Sequence, residues 1–374
     1  MSRVRITRYF QISLFLIFMA CSRQDAVVES HQETLQVTVV DSIGINSGEP
    51  SYMFGEIQTI RENDSGDIFV LDRVKRQISV FDSHGAYLRT ISREGSAPGE
   101  FLNPVGFDLD TSGNLLVLDF MHGKVFRFTP DGEYISTVLE YQNMAPSGIT
   151  VYSDSAAIIL FSEEPVSSGG GLILDTFLAT VQFGTQEHTN LWQTTGIIDL
   201  QALESLFYSS ILSVAYDVDS EGNLYYAPAC EDVFEFISCD LAGRNRFTVT
   251  DPVEPREKTE LQLNEEAVYI SNLAAVYGGG IPNEIHPPEN FNAIIDIDVD
   301  HRDRVWIRSG LTAKPTFQVY SHSGGYLATV EVIVPLSDEN IRWEFEIHKT
   351  ICAYTANPDE FYRVYMFEAV DDIL

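Results

Sequence analysis

Residues 62–91 read ENDSGDIFVLDRVKRQISVFDSHGAYLRTI, and residues 109–138 read LDTSGNLLVLDFMHGKVFRFTPDGEYISTV. Laid one over the other without a gap, they match at Ser65 and Ser112, Gly66 and Gly113, Val70 and Val117, Leu71 and Leu118, and Asp72 and Asp119. They match again at Phe81 and Phe128, Gly85 and Gly132, Tyr87 and Tyr134, and Thr90 and Thr137, every pair 47 residues apart. Self-similarity at such a period marks a repeat architecture. Within each unit a Ser-Gly turn leads into a run that is apolar at every position, Ile68 to Leu71 or Leu115 to Leu118. A strand with no polar face is one held between neighbouring sheets. A third run alternates, as in Val125-Phe126-Arg127-Phe128, and ends at a second glycine turn, His84-Gly85 or Asp131-Gly132. A last strand follows. Four short antiparallel strands at a period in the forties describe a propeller blade.

Further copies appear with decay. They lie at 219–248 and 300–330, more weakly from about Gly148 to Trp192, and in a terminal stretch at 341–370. Cys239 and Tyr320 take the aromatic slot of Phe81, which predicts that both are buried. The terminal unit lacks a fourth strand, whereas Leu35 to Val40 is a strand without a blade. A ring closes if that strand completes the last blade, which removes a free sheet edge. The reading is an all-β, six-bladed β-propeller of four-stranded antiparallel blades over 35–374, closed by the N-terminal strand. Two segments break the repeat. Residues 251–291 form an insertion, helical from about Glu257 to Val276 and ended by Gly278-Gly279-Gly280 and Pro282. Residues 186–208 are irregular and are expected to carry a short helix.

The segment Arg93-Glu94-Gly95-Ser96-Ala97-Pro98-Gly99-Glu100-Phe101-Leu102-Asn103-Pro104 looks like an inter-blade loop, and two strands end in aliphatic-Asp, at Asp72 and Asp119. On these residues the chain resembles the NHL-type six-bladed propellers, and more closely their bacterial lipoprotein branch. The resemblance spans about 40–370 and implies a fold more than a function, since propellers host ligases, lyases, lactonases and pure binding scaffolds.

Charge is the outlier in composition. The chain carries 23 basic and 55 acidic residues, net −32. A field of that sign repels nucleic acid and anionic headgroups, so no nucleic-acid partner is expected. Residues 1–8 hold Arg3, Arg5 and Arg8, and an apolar run from Ile12 to Ala20 precedes Cys21. The run is far short of the ~20 residues of a membrane-spanning helix and fits a secretory signal peptide. Phe18-Met19-Ala20-Cys21 resembles a bacterial lipobox. That resemblance makes residues 1–20 a lipoprotein signal peptide, Cys21 the lipidated first residue and 21–34 a polar tether. It places the protein at the outer membrane or periplasm, touching the membrane through its lipid anchor alone. Cys230, Cys239 and Cys352 are an odd number and are expected to be buried free thiols.

Catalytic signatures are sparse. The eight histidines form neither His-x-His nor His-Glu-x-x-His, and there is no Cys-x-x-Cys or Gly-x-Ser-x-Gly. Asp296, Asp298 and Asp300 alternate along one strand and so share one side. Without the glycine and final glutamate of an EF-hand they read as solvated strand and turn acids. No cofactor is predicted, with calcium the alternative these acids leave open. Asp72 and Asp119 are expected to accept backbone N–H groups at the turns that follow them. Candidate ligand-binding residues sit where the second strand of a blade ends: Arg73 and Arg76 (with Lys75) in blade one, Phe120 and His122 (with Met121) in blade two. Arg308 occupies the normally apolar slot of Leu71 and Leu118, where a cation must be paired or face the channel. Trp306 is expected to pack between blades. The function read from these features is a monomeric binding or scaffolding propeller on the cell envelope, for a peptide, glycan or protein partner. The alternative is a divalent-cation-dependent lactonase- or lyase-like enzyme with its site in the central channel.

Overall fold

Six groups of antiparallel strands follow one another along the chain in the computed structural model. It describes residues 34–374 apart from 143, 164–165, 169–170, 186, 200–213, 277–286, 337–340 and 357–359. Cys21, the leader, the tether up to residue 33 and the stretch from Gly278 to Pro282 lie outside the described residues.

An opening strand β1 (Leu35–Ile43) precedes blade one, which is β2 (Ile57–Glu62), β3 (Ile68–Asp72), β4 (Gln77–Phe81) and β5 (Tyr87–Ile91). Blade two repeats it as β6 (Pro104–Leu109), β7 (Leu115–Asp119), β8 (Lys124–Phe128) and β9 (Tyr134–Glu140). Blade three is longer: β10 (Met144–Ser153), β11 (Ala156–Glu163), a short β12 (Val166–Ser168), β13 (Gly171–Gln182) and β14 (His188–Asp199). Blade four is β15 (Val214–Val218), β16 (Leu224–Pro228), β17 (Val233–Cys239) and β18 (Asn245–Pro252). The helix α1 (Glu260–Val276) interrupts before blade five, which is β19 (Ile294–Val299), β20 (Val305–Ser309), β21 (Thr316–Tyr320) and β22 (Tyr326–Ile333). Blade six is β23 (Trp343–Ile347), β24 (Thr350–Thr355) and β25 (Val364–Ala369), followed by the helical turn α2 (Val370–Ile373).

The N-terminal strand completes blade six. Val39 to Ile43 of β1 pairs antiparallel with β25. Leu35 to Thr38 instead runs parallel to Val330 to Ile333 of β22, so the same strand also holds the outer edge of blade five. Both edges are thereby covered by one segment.

The doubly apolar strands are explained by how the core is divided. Among the described residues each of six hydrophobic clusters joins two neighbouring blades. In β3, Phe69 and Leu71 pack with Leu115, Val117 and Phe126 of blade two. The alternate residues Ile68 and Val70 pack with Tyr354, Val364 and Met366 of blade six. A strand that serves two interfaces has no face left for polar residues. Trp306 is fully buried between blades five and six. Cys239 pairs with Leu224 as Phe81 pairs with Ile68, and both Cys239 and Cys352 are buried. Cys230 is only half-buried, because it lies in the loop after β16 and not in the strand, and its thiol donates to Asp232 Oδ1 at 3.3 Å.

The insertion holds the expected helix. Thr259 and Gln262 form a reciprocal cap, with the Gln262 N–H donating to Thr259 Oγ1 at 3.2 Å and the Thr259 N–H donating to Gln262 Oε1 at 2.9 Å. The expectation of a short helix in 186–208 is corrected as far as residue 199. His188 to Asp199 is a strand paired along β13. Its Thr189, Thr194, Thr195, Ile197 and Ile198 are β-branched, and such side chains favour a pleated strand over a helix.

Candidate functional site

The first strand of five of the six blades, all but blade three, carries a charged residue one position before its end. These are Arg61 of β2, Asp108 of β6, Asp217 of β15, Asp298 of β19 and Glu346 of β23. Arg61 Nε donates to Asp108 Oδ1 of blade two at 3.1 Å, and its Nη1 pairs with Glu346 of blade six. The charges of Asp217 and Asp298, in blades four and five, also act on Arg61. One guanidinium reaches groups from so many blades only where the innermost strands converge, at the propeller axis. Contacts between the remaining neighbours close the circuit. Asp108 Oδ2 accepts the N–H of Val151 in blade three at 2.6 Å, and Asp217 Oδ2 accepts that of Val299 in blade five at 2.7 Å. Arg308 of blade five donates to the Trp343 carbonyl of blade six at 2.7 Å. Blades three and four meet at Gly148, where a Cβ would lie 2.7 Å from the Tyr216 hydroxyl, so only glycine leaves room for that side chain.

Electrostatics separate these acids from those elsewhere. Burial raises the Asp217 carboxyl to about 7, with the nearby Asp108 charge in the same direction and Arg61 and two backbone N–H groups opposing. Burial raises Glu346 to about 8 against the pull of Arg61. It raises Asp296 to about 7 against that of Arg308. Asp298 is pushed well above the carboxylate range, first by burial and then by Asp296, Glu346 and Asp217. Burial also works against the charge on Arg61, but the acids around it outweigh that cost and hold it firmly protonated. The side chains of Arg61, Asp108 and Glu346 keep 24%, 14% and 16% of their surface, so water reaches this layer.

A second layer lies two residues earlier on the same strands, with Asp296 of β19 and Glu344 of β23. Here Arg308 lies under the charges of Glu344 and Asp296, and its Cζ stands 4.8 Å from the Phe345 ring centroid. Arg342 Nε pairs with Glu344 Oε1 at 2.7 Å. Arg308 therefore lies among the axial acids, under the charges of Glu344 and Asp296 and bonded to the Trp343 carbonyl, and not in an apolar slot.

The other predicted binding residues are not brought together with it. Because β2 and β3 are antiparallel, the turns after β3 and β7 lie at the opposite ends of their blades from the Arg61 layer. Arg73 makes a two-pronged pair with Glu56 at 2.9 and 2.6 Å, and Arg76 pairs with Glu94. Phe120 is half-buried. His122 stands with Nδ1 3.1 Å from Asp119 Oδ1 and its ring against Phe126. Asp72 and Asp119 act as backbone acceptors, and their reach is wider than expected. Asp72 takes the N–H of Lys75 in the turn and also those of Gly55 and Glu56, and Asp119 does the same with His122, Leu102 and Asn103.

Asp296, Asp298 and Asp300 require a correction, because none is a solvated surface acid. Asp298 is 8% exposed and Asp300 is 2% exposed. Their shared strand is the innermost of its blade, so alternation aims Asp296 and Asp298 at the axis and leaves Asp300 inside the turn. Reading from the residues missed the axial layer, although a signal was present. Arg61 and Asp108 are also 47 apart, directly before the quoted repeats, and Asp217 and Asp298 hold the same slot in the later copies. Among the described residues no three His, Cys, Asp or Glu side chains are grouped so as to hold a metal ion.

A family model (DUF5128) described as a 6-bladed beta-propeller matches residues 49–144. No curated protein matches the chain. Among solved structures, a member of the duf4221 family from Bacteroides vulgatus is 11% identical, with a TM-score of 0.50 over 90% of this chain and 99% of that one. A calcium-binding protein, regucalcin, from Agrobacterium tumefaciens is 9% identical, with a TM-score of 0.46 over 89% of this chain and 95% of that one. Virginiamycin B lyase from Staphylococcus aureus is 10% identical, with a TM-score of 0.43 over 91% and 97%. At such identity the likeness to the duf4221 member speaks to fold alone, and with the matched family model it agrees with the propeller described above.

Proposed function

We propose that this chain is a binding or scaffolding propeller of the bacterial cell envelope, one that receives its ligand at the acidic layer of its axis. The observation that carries the reading is the convergence of Asp108, Asp217, Asp298 and Glu346, from four different blades, on the single cation Arg61. A water-accessible layer with more carboxylates than cations favours a ligand that brings positive charge. Basic peptides, aminated glycans and basic segments of protein partners all meet that requirement. A fluorescence-polarisation panel of basic and acidic peptides and of neutral and aminated glycans tests the reading. Retained ligands are expected to be positively charged, weakened by salt, and weakened again in the double variant Asp217→Asn, Glu346→Gln. A panel with no charge preference would sink it.

The envelope location rests on the leader and on Cys21, and the NHL-type lipoprotein resemblance supports it. Cys21→Ser is expected to move the protein from the membrane fraction to the soluble fraction. A second reading, a divalent-cation-dependent lactonase- or lyase-like enzyme, is favoured by the raised axial carboxyls, Asp217 and Asp296 first among them. A carboxyl near 7 inside a channel is poised to exchange protons. Turnover of a lactone panel that disappears in Asp217→Asn would shift the assignment to that reading.

A further inference from the structure

The axial charges do not balance. Arg61 serves Asp108 and Glu346, Arg342 serves Glu344, and Arg308 stands beside Asp296. Among the described residues Asp217 has no cation bonded to it but accepts the N–H groups of Val218 and Val299 at 2.9 and 2.7 Å, and Asp298 has neither. It is 8% exposed, and its Oδ2 is buried with no hydrogen-bond donor. Buried carboxylate oxygens without a donor are costly and rare, so this one marks a place for a donor from outside the chain.

The neighbours define what that donor is. Asp296 on the same strand, Glu346 on β23 and Asp217 on β15 place negative charge around Asp298, with Arg61 on β2 as the counterweight. As these carboxyls ionise, a donor that brings positive charge suits the surroundings better than a neutral one. A divalent metal fits poorly, since no three ligating side chains are grouped for it among the described residues and Arg61 already occupies one arc of the ring. An ammonium group fits better. It carries one charge and three N–H donors, which spread over several carboxylates without the short distances a metal imposes.

We propose that Asp298 is the anchor of an ammonium-binding subsite at the propeller axis, taking a lysine-type amine or an amino sugar. The assignment rests on the binding function proposed above and names its ligand chemistry. Proton release accompanies binding, because the Asp298 carboxyl must ionise to hold the cation while Asp296, Glu346 and Asp217 discourage that ionisation.

Titration calorimetry on the purified full chain tests this at pH 6 and pH 8 with three probes: Nα-acetyl-lysine amide, glucosamine and calcium chloride. The expected result is saturable binding of at least one amine; for the lysine probe, which stays protonated throughout, binding is tighter at pH 8 than at pH 6 by about tenfold, and for glucosamine, whose own amine loses its proton over this range, the gain is smaller. Whichever amine binds identifies the source of the ammonium. Asp298→Asn and Asp298→Ser should each weaken that binding by about tenfold or more. Both variants should melt no lower than the parent, and the exposed control Asp131→Asn should bind unchanged. Calcium binding that needs Asp298, without amine binding, replaces the ammonium with a metal and overturns the proposal. Amine binding that survives both Asp298 variants, or no binding by any probe, overturns it as well. If amines fail here while the ligand panel keeps its charge preference, the axis still binds, but not through Asp298.

Discussion

Asp298 lies on β19 and Asp300 two residues further on, in the turn that follows it; both are buried, and their surroundings are opposite. Asp300 accepts the backbone N–H groups of Arg302 and Arg304, Arg304 Nε at 2.7 Å and the Trp306 indole N–H at 2.8 Å. Among the described residues Asp298 Oδ2 accepts nothing. Burial alone does not distinguish an acid that builds the fold from one held in reserve; the count of donors does. The same contrast runs round the molecule. The turn acids Asp110 and Asp219 repeat the Asp300 pattern with Ser112 and Asn114, and with Glu221 and Asn223. The axial acids differ among themselves: Asp108 and Asp217 accept N–H groups from the next blades, and Asp298 Oδ2 has no donor among the described residues.

The largest effect should come from breaking the saturated member. Asp300→Ala removes the buried ion-pair partner of Arg304, leaving it the Leu374 carbonyl and the more distant, exposed Asp371, and leaves the Trp306 indole without its acceptor. Removing one partner of a buried pair costs about 3–5 kcal/mol. Urea unfolding should show that loss. A cost under about 1 kcal/mol, the range of an exposed pair, would remove the distinction between the two acids.

The unsaturated member predicts the reverse. Asp217 and Asp296 near 7 and Glu346 near 8 bind protons in the folded chain that the unfolded chain has already released. Stability therefore falls as pH rises from about 4 towards about 8. The lowered carboxyls work the other way. Asp82 and Asp240 accept turn N–H groups, and Asp154 accepts the Thr111 and Ser112 hydroxyls. Their contribution is present above the unfolded carboxylate range and is lost as pH falls through it. The expected profile of melting temperature has its maximum on the mildly acidic side. Asp298→Asn should leave stability unchanged at pH 5 and raise it by about 1 kcal/mol at pH 8, where the native side chain is asked to carry an unpaired charge. A melting curve that is flat across this range, or a variant that melts lower at pH 8, would place the axial acids with the structural ones.

How much of this contrast was legible follows from what a repeat records. The apolar runs Ile68–Leu71 and Leu115–Leu118 and the glycine turns recur because every blade meets the same two neighbours, so the blades and the closing strand could be read. The alternation of Asp296, Asp298 and Asp300 was also visible. What could not be read was which side of the strand met the axis, because that depends on residues of other blades, Arg61 and Glu346 among them. The slot of Arg61 looked unremarkable for a related reason. It changes sign between blades, from arginine to aspartate, and a search for identities passes over it. The turn residues misled in the opposite direction. Arg73 and Arg76 drew notice as exposed cations, yet their partners Glu56 and Glu94 lie in the loops that enter and leave the blade.

Arg76 and Gly123 offer the finest test of how far the repeat governs local structure. They occupy the same turn position 47 residues apart, and both backbones are left-handed, with φ +52° at Arg76 and +64° at Gly123. In blade two glycine takes this conformation without cost, and a Cβ there would lie 3.0 Å from the Tyr141 carbonyl oxygen. In blade one a side chain is tolerated, at a backbone cost of about 1 kcal/mol. Arg76→Gly relieves that strain. It also gives up the ion pair with the exposed Glu94 and adds freedom to the unfolded chain, each worth about 0.5–1 kcal/mol. The terms nearly cancel, so the expected change in stability is within about 0.5 kcal/mol. A loss well beyond that would mean the pair with Glu94 does more than offset strain, and would make the loop at Arg93 to Pro104 dependent on blade one. A clear gain would mean that the arginine is retained against the interest of the fold, and would return Arg76 to the residues that meet a ligand.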